Sequence, residues 1–183
     1  IIFKIIGSLL FIEAALLLSC LGMAIGYQED DVPAFIITII LTLLSGIVLR
    51  FLGRNADNYM SRRDAYLVVT LSWVIFSLFG TLPFIISGYI PAFTDAYFET
   101  MSGFTTTGAT IIDDVDKLTH GLLFWRSMTQ WIGGLGIVFF TTAILPSFVG
   151  GSVKVFAAEA TGPVSTRLHP RLSTGAKWIW MVY

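Results

Sequence analysis

Gly103-Phe104-Thr105-Thr106-Thr107-Gly108-Ala109-Thr110 is a polar stretch set in apolar sequence. Its threonines and glycines stand where a membrane protein least tolerates loose backbone. They follow a short aromatic segment, Phe93 to Phe104, and precede a long apolar run that begins at Ser127. Irregular backbone at membrane depth survives only where protein buries it or where it lines a water-filled path. A row of carbonyls held there can replace the water shell of an ion. The stretch therefore reads as an ion selectivity filter, with the carbonyls of Thr105, Thr106, Thr107 and Gly108 as ion ligands.

The rest of the chain supplies the membrane. Of its 183 residues 55% are hydrophobic and only 13% charged, with a mean hydropathy of +0.80. A soluble domain carries about 25% charged residues. Val32 to Leu49, Ala65 to Thr94 and Ser127 to Val153 are charge-free over 18, 30 and 27 residues. Ile5 to Tyr27 holds a single acid, Glu13. Runs of about 18 or more apolar residues read as transmembrane helices. A net charge of -1 with no basic stripe points to no nucleic-acid partner. The single Cys20 excludes an internal disulfide. The chain starts at Ile1 and stops at Tyr183 within an apolar run, so it is expected to be a piece of a longer protein. Leu17-Leu18-Ser19-Cys20 resembles a lipoprotein cleavage site, but the apolar run continues to Tyr27 and exceeds a signal-peptide core.

In order, the expected helices are about Ile5 to Tyr27, Pro33 to Leu52 and Ala65 to Ile86, then a short helix ending at Phe104 and a span from Leu122 to Leu145. Gly22 and Gly26 form a small-xxx-small pair that suits either close helix approach or ordinary glycine tolerance. Glu13 is expected to have a polar partner in the bundle. Pro33 suits a first turn, and Pro83 is expected to kink or end the third span. Thr94 or Asp95 is the expected cap of the short helix. At about 1.5 Å per residue that helix covers roughly half the hydrocarbon core, so it reads as re-entrant. Pro146 and Gly150-Gly151 should end the fourth span, before an amphipathic basic tail from Ser152 to Lys177 and a fifth span starting at Trp178.

Nine of the eleven Lys and Arg residues fall on one side of this topology; Lys117 and Arg126 fall on the other. The positive-inside rule then makes the N-terminus cytoplasmic, the loop at 54 to 64 cytoplasmic and the loop at 112 to 120 external. The fold class is all-α: transmembrane helices with a re-entrant pore helix and filter loop, the helix–pore-loop–helix arrangement of potassium channels. Residues 1–53 form a leading helix pair, 54–150 the first helix–pore-loop–helix unit, and 151–183 a cytoplasmic connection and the start of a second unit. The pore helix aims its negative C-terminal end at the membrane centre, where it favours a dehydrating cation. Neutral oxygens suit a weakly held monovalent ion, whereas a tight divalent site asks for carboxylates. Gly108 belongs where backbone angles exclude other residues. Glu99 and Gly103 are the candidate filter supports; Glu99 either braces the loop from behind through a hydrogen bond or faces an outer vestibule, and bracing is the expectation because a buried carboxylate needs a partner. Arg126 can pair with an outer acid or snorkel to the outer interface, and the snorkel is the expectation. Gly133, Gly134 and Gly136 allow either a bend beside the pore or close packing.

Asp95-Ala96-Tyr97-Phe98-Glu99-Thr100-Met101-Ser102 followed by the Gly103–Thr110 stretch resembles the first pore loop of the TrkH/KtrB family of potassium-uptake proteins. Trp125-Arg126-Ser127-Met128-Thr129-Gln130-Trp131-Ile132-Gly133-Gly134-Leu135-Gly136-Ile137 resembles a later stretch of the same unit, and Ala158-Glu159-Ala160-Thr161-Gly162-Pro163 resembles the TrkH loop that follows the first unit. The leading helix pair is more like TrkH than the shorter KtrB. The resemblance implies four helix–pore-loop–helix units in one polypeptide around a pseudo-fourfold pore. It implies K+ as the transported ion, held through Thr106, Thr107 and Gly108, with no cofactor bound by this chain. It further implies a bacterial inner-membrane homodimer in contact with lipid and gated by a cytosolic, TrkA-like nucleotide-binding ring.

Rival readings are weaker. Gly103 and Gly108 have the glycine spacing of a phosphate-binding loop, but Ala109-Thr110 stands where that motif needs Lys then Ser/Thr, and no strand precedes it. His120 and His169 lie across the membrane from each other, and no His/Cys/acid cluster has metal-ligand spacing. No nucleophile–base pair suggests an enzyme. The alternatives are a subunit that self-assembles as a tetrameric cation channel around one filter, and a membrane lipoprotein or anchor whose Thr/Gly loop is merely a turn.

Overall fold

The computed structural model describes residues 1–56 and 62–144. The described residues are all helical apart from turns and loops. The helices are α1 (Ile2–Tyr27), α2 (Val32–Leu52), α3 (Arg62–Gly80), α4 (Leu82–Ile86), α5 (Phe93–Phe104) and α6 (His120–Ile144), with a 3-10 turn at Val115–Lys117. Three stretches are long and apolar enough to cross a membrane: Ile2–Tyr27, Val32–Leu52 and Tyr66–Ile86. The expected ends of the fourth span at Pro146 and Gly150-Gly151, the basic tail, the fifth span and His169 lie outside the described residues.

α1 and α2 form a tight antiparallel pair. A Cβ on Gly7 would sit 2.7 Å from the Gly46 carbonyl oxygen, and one on Gly53 would sit 2.6 Å from the Lys4 nitrogen. These glycines let two backbones touch, as membrane packing demands when lipid offers no hydrophobic drive for association. Gly22 and Gly26 do not serve this purpose: nothing lies within 4 Å of a Cβ on either. Pro33 stands in the first turn of α2, where its missing N–H leaves no bond unmade.

The third span breaks. α3 ends at Gly80, and α4 restarts with Pro83 in its first turn. The Phe84 N–H bonds to the Thr81 carbonyl at 3.2 Å, one residue short of the α-helical acceptor. The Gly80 carbonyl is thereby free to accept the Trp125 indole N–H at 2.8 Å. Pro83 explains the break, since it removes an N–H and crowds the carbonyl four residues back. The freed carbonyl becomes a tie between the third span and α6.

A second tie joins the leading pair to α6. The carboxylate of Glu29, in the α1–α2 turn, accepts the backbone N–H groups of His120 and Gly121 at 2.9 and 3.2 Å and contacts His120 Nδ1 at 2.7 Å. It thus occupies the N-terminus of α6, where a negative charge is favoured. Burial pushes Glu29 upward, but the bonds from His120 and Gly121 outweigh it and hold the carboxyl below its ordinary range. Asp31 accepts a bond from the Thr119 hydroxyl; burial holds its carboxyl above the ordinary range. The Tyr27 and His120 rings stack with centroids 3.9 Å apart.

Candidate functional site

α5 has 12 residues, Phe93–Phe104, and its N-cap is Ala92, which makes no side-chain cap bond. The expected Thr94 or Asp95 cap is therefore not used; Asp95 lies inside the first turn, where an acid complements the helix dipole. The helix is wedged between α3 and α6. Phe104 is fully buried and meets Phe76 and Trp125 edge-on, with centroids 5.7 and 6.2 Å away. Gly103 and Gly133 set the clearance to α6. A Cβ on Gly103 would lie 2.2 Å from Thr129 Oγ1, and one on Gly133 would lie 2.2 Å from the Phe104 carbonyl oxygen. Three residues further on, Gly136 has φ 70°, and α6 kinks there. Both expected roles of these glycines occur, packing at Gly133 and bending at Gly136.

From Thr105 to Ile111 every residue is exposed, yet the backbone is held. The N–H groups of Thr105 and Thr106 bond to the carbonyls of Met101 and Gly103, both at 2.9 Å. Those of Thr107 and Gly108 bond to the Ser102 carbonyl at 3.0 and 3.5 Å. Four successive N–H groups thus face the C-terminal turn of α5. In a trans peptide the carbonyl points opposite the following N–H, so the carbonyls of Phe104 through Thr107 point away from those acceptors. Thr105 has φ -80°, Thr106 φ 55° and Gly108 φ 74°. Nothing lies within 4 Å of a Cβ on Gly108. The demand for glycine there is conformational, because L residues rarely adopt positive φ.

Among the described residues, the carbonyls of Thr106, Thr107 and Gly108 accept no hydrogen bond. The Thr105 carbonyl takes the Thr106 hydroxyl at 2.7 Å. The Thr105 and Thr107 hydroxyls lie 2.8 Å apart, and Thr105 also donates to the Met101 carbonyl. The far end of the loop is clipped twice. Ser102 Oγ donates to the Ala109 carbonyl at 2.6 Å. Glu99, only 3% exposed, accepts the Thr110 hydroxyl at 2.8 Å and the Ile111 N–H at 3.2 Å on Oε2.

Arg126 does not snorkel. Its Nε donates to Glu99 Oε1 at 2.7 Å, and its side chain is 19% exposed. Sequence reasoning misses Ser102 as a clip and ranks the pairing of Arg126 with an acid second, without naming Glu99 as the partner. Arg126 carried a readable signal. It is a cation at the edge of an apolar run, and Glu99 is an acid inside an otherwise uncharged short helix after Asp95. Two such charges gain most by meeting. Ser102 carried none, since its reach to residue 109 depends on the loop's turn.

The sequence profile of the TrkH family, described as a cation transport protein, matches residues 31–183. The Trk system potassium uptake protein TrkH of Vibrio parahaemolyticus is 36% identical over all of this chain, which covers 38% of that protein. TrkH of Escherichia coli K12 is 35% identical over 98% of the chain, again 38% of the relative, and E. coli TrkG is 32% identical over 97%, or 37% of the relative. The crystal structure of the potassium transporter TrkH from V. parahaemolyticus superposes with a TM-score of 0.76 at 34% identity, over all of this chain and 36% of that one. The chain thus spans well under half the length of the relatives it matches.

Proposed function

Because the chain belongs to the TrkH family of cation transport proteins, which are not enzymes, we propose that it forms part of a Trk-type potassium-uptake protein and that residues 105–108 are one unit's share of its selectivity filter. The observation that carries this reading is the fate of four backbone N–H groups. Those of Thr105 to Gly108 are spent on the last turn of α5, which turns the intervening carbonyls away from that helix. The carbonyls of Thr106, Thr107 and Gly108 are the K+ ligands. Gly103, by admitting α6, and Glu99, by holding Thr110 and Ile111, support them. Uncharged oxygens hold a monovalent ion loosely enough to release it.

α5 is the re-entrant pore helix and enters from the outer side. Its 12 residues span roughly half the hydrocarbon core at about 1.5 Å each, and its negative end faces the dehydrated ion. The protein sits in the bacterial inner membrane with its N-terminus cytoplasmic and lipid around its spans. It works as a homodimer under a TrkA-like cytosolic ring. The full filter needs three further units from the longer polypeptide, because one loop supplies one side of the coordination cage.

The test is Gly108→Ser in the full-length protein, expressed in a bacterium lacking its own K+ uptake. A side chain at φ 74° strains the turn and displaces its carbonyl. K+ uptake should be lost or Na+ admitted, with membrane abundance unchanged. Wild-type K+ uptake and K+/Na+ preference in this variant would remove the filter assignment.

A further inference from the structure

Glu99 is a carboxylate whose side chain is 1% exposed, held in the helix that carries the filter. A buried carboxylate without a countercharge costs several kcal/mol. The countercharge comes from another helix: Arg126 of α6 donates through Nε to Glu99 Oε1 at 2.7 Å. The other carboxylate oxygen is left to accept from Thr110 Oγ1 and the Ile111 N–H, at 2.8 and 3.2 Å. Thr110 in turn accepts the Ile112 N–H at 3.1 Å. The chain of contacts runs from α6 through α5 to the outer end of the loop.

The same turn of α6 reaches the inner end. The Arg126 carbonyl accepts the Thr129 hydroxyl at 2.7 Å, and Thr129 Oγ1 fills the space where a Gly103 Cβ would stand. A shift of this one turn would therefore be felt at both ends of residues 103–111. On the filter reading above, on which this inference rests, we infer that Arg126 is a positioning residue for ion selection. It never meets the ion. It orients Glu99, and Glu99 fixes the place of the loop's outer end. Discrimination between monovalent cations depends on the size and field of the carbonyl cage, so a loosened outer end lowers selectivity. The planar, permanently charged guanidinium directs its N–H along one line, which a lysine ammonium does not reproduce.

The experiment measures K+ and Na+ uptake by the full-length protein carrying Arg126→Gln, Arg126→Lys, Glu99→Gln with Arg126→Gln, or Gly108→Ser, each normalised to its abundance in the membrane. Arg126→Gln should raise the KM for K+ and lower the K+/Na+ preference about tenfold, since it strands a buried carboxylate. Arg126→Lys should fall between it and the wild type. The double variant should be less impaired than Arg126→Gln, because removing both partners leaves no unpaired charge. Wild-type KM and preference in Arg126→Gln would overturn the inference, as would a loss confined to maximal rate with preference intact. Should Arg126→Gln fail to reach the membrane, Arg126→Lys decides, and wild-type preference there overturns it. Altered preference in Gly108→Ser beside wild-type Arg126 variants sinks only this inference; unaltered preference in Gly108→Ser sinks the filter reading beneath it.

Discussion

Glu13 lies fully buried in α1, and neither of its carboxylate oxygens has a hydrogen-bond partner among the described residues. The polar partner expected from the sequence is not among the described residues. A buried carboxyl without a hydrogen bond costs about 1–3 kcal/mol by mutational data. Glu13→Leu should therefore raise the thermal unfolding midpoint of the full-length protein in detergent and leave K+ uptake unchanged. A lowered midpoint would mean that the carboxyl has a partner after all. At this scale the sequence was readable where one residue type answers one physical demand. Gly108 could be picked out because positive φ without a Cβ is a glycine property, and the structure has φ 74° there. Thr106 at φ 55° could not, because threonine seldom adopts that region and only the bonds of the turn impose it. The Glu99–Arg126 pair joins residues 27 apart, a closeness that local periodicity does not encode.

Among the elements, α1, α2 and the third span follow from long apolar runs, broken in α1 only by Glu13 between Ile5 and Tyr27, and their ends differ from the sequence reading by only a few residues. The break at Thr81 was signalled by Pro83; its use was not, since Trp125 reaches the freed Gly80 carbonyl from 45 residues away. The glycines that bring α1 against α2 were not legible either. Gly7 and Gly46 make the contact, while the regularly spaced Gly22 and Gly26 have open space around them. Spacing marks a stripe of small residues without saying what it faces. The sidedness of the elements is internally consistent. Glu29 meets His120, so the α1–α2 turn and the start of α6 share one end of the bundle, while Lys4 lies against Gly53 at the other. With basic residues concentrated at the Lys4 end, that end should be cytoplasmic. In a Cys20→Ser background, an impermeant thiol reagent added to intact cells should label Asp114→Cys and spare Asn55→Cys. Labelling of Asn55→Cys alone would invert the orientation.

Across the whole molecule, the exposed face of residues 105–111 is, on the proposed filter reading, the surface that further units would cover. Polar backbone left facing lipid costs several kcal/mol per unpaired group. The chain spans 38% of the length of a relative, and on the proposed reading it contributes one loop of the cage. The central claim is that the carbonyls of Thr106, Thr107 and Gly108 hold the ion. Rubidium, a chemical stand-in for potassium, can be located by its anomalous scattering in crystals of the full-length protein grown in a rubidium salt. The predicted result is an anomalous peak on the pore axis, in contact with those carbonyl oxygens. An ordered loop with no rubidium beside Thr106, Thr107 and Gly108, and the ion bound elsewhere along the path, would contradict it.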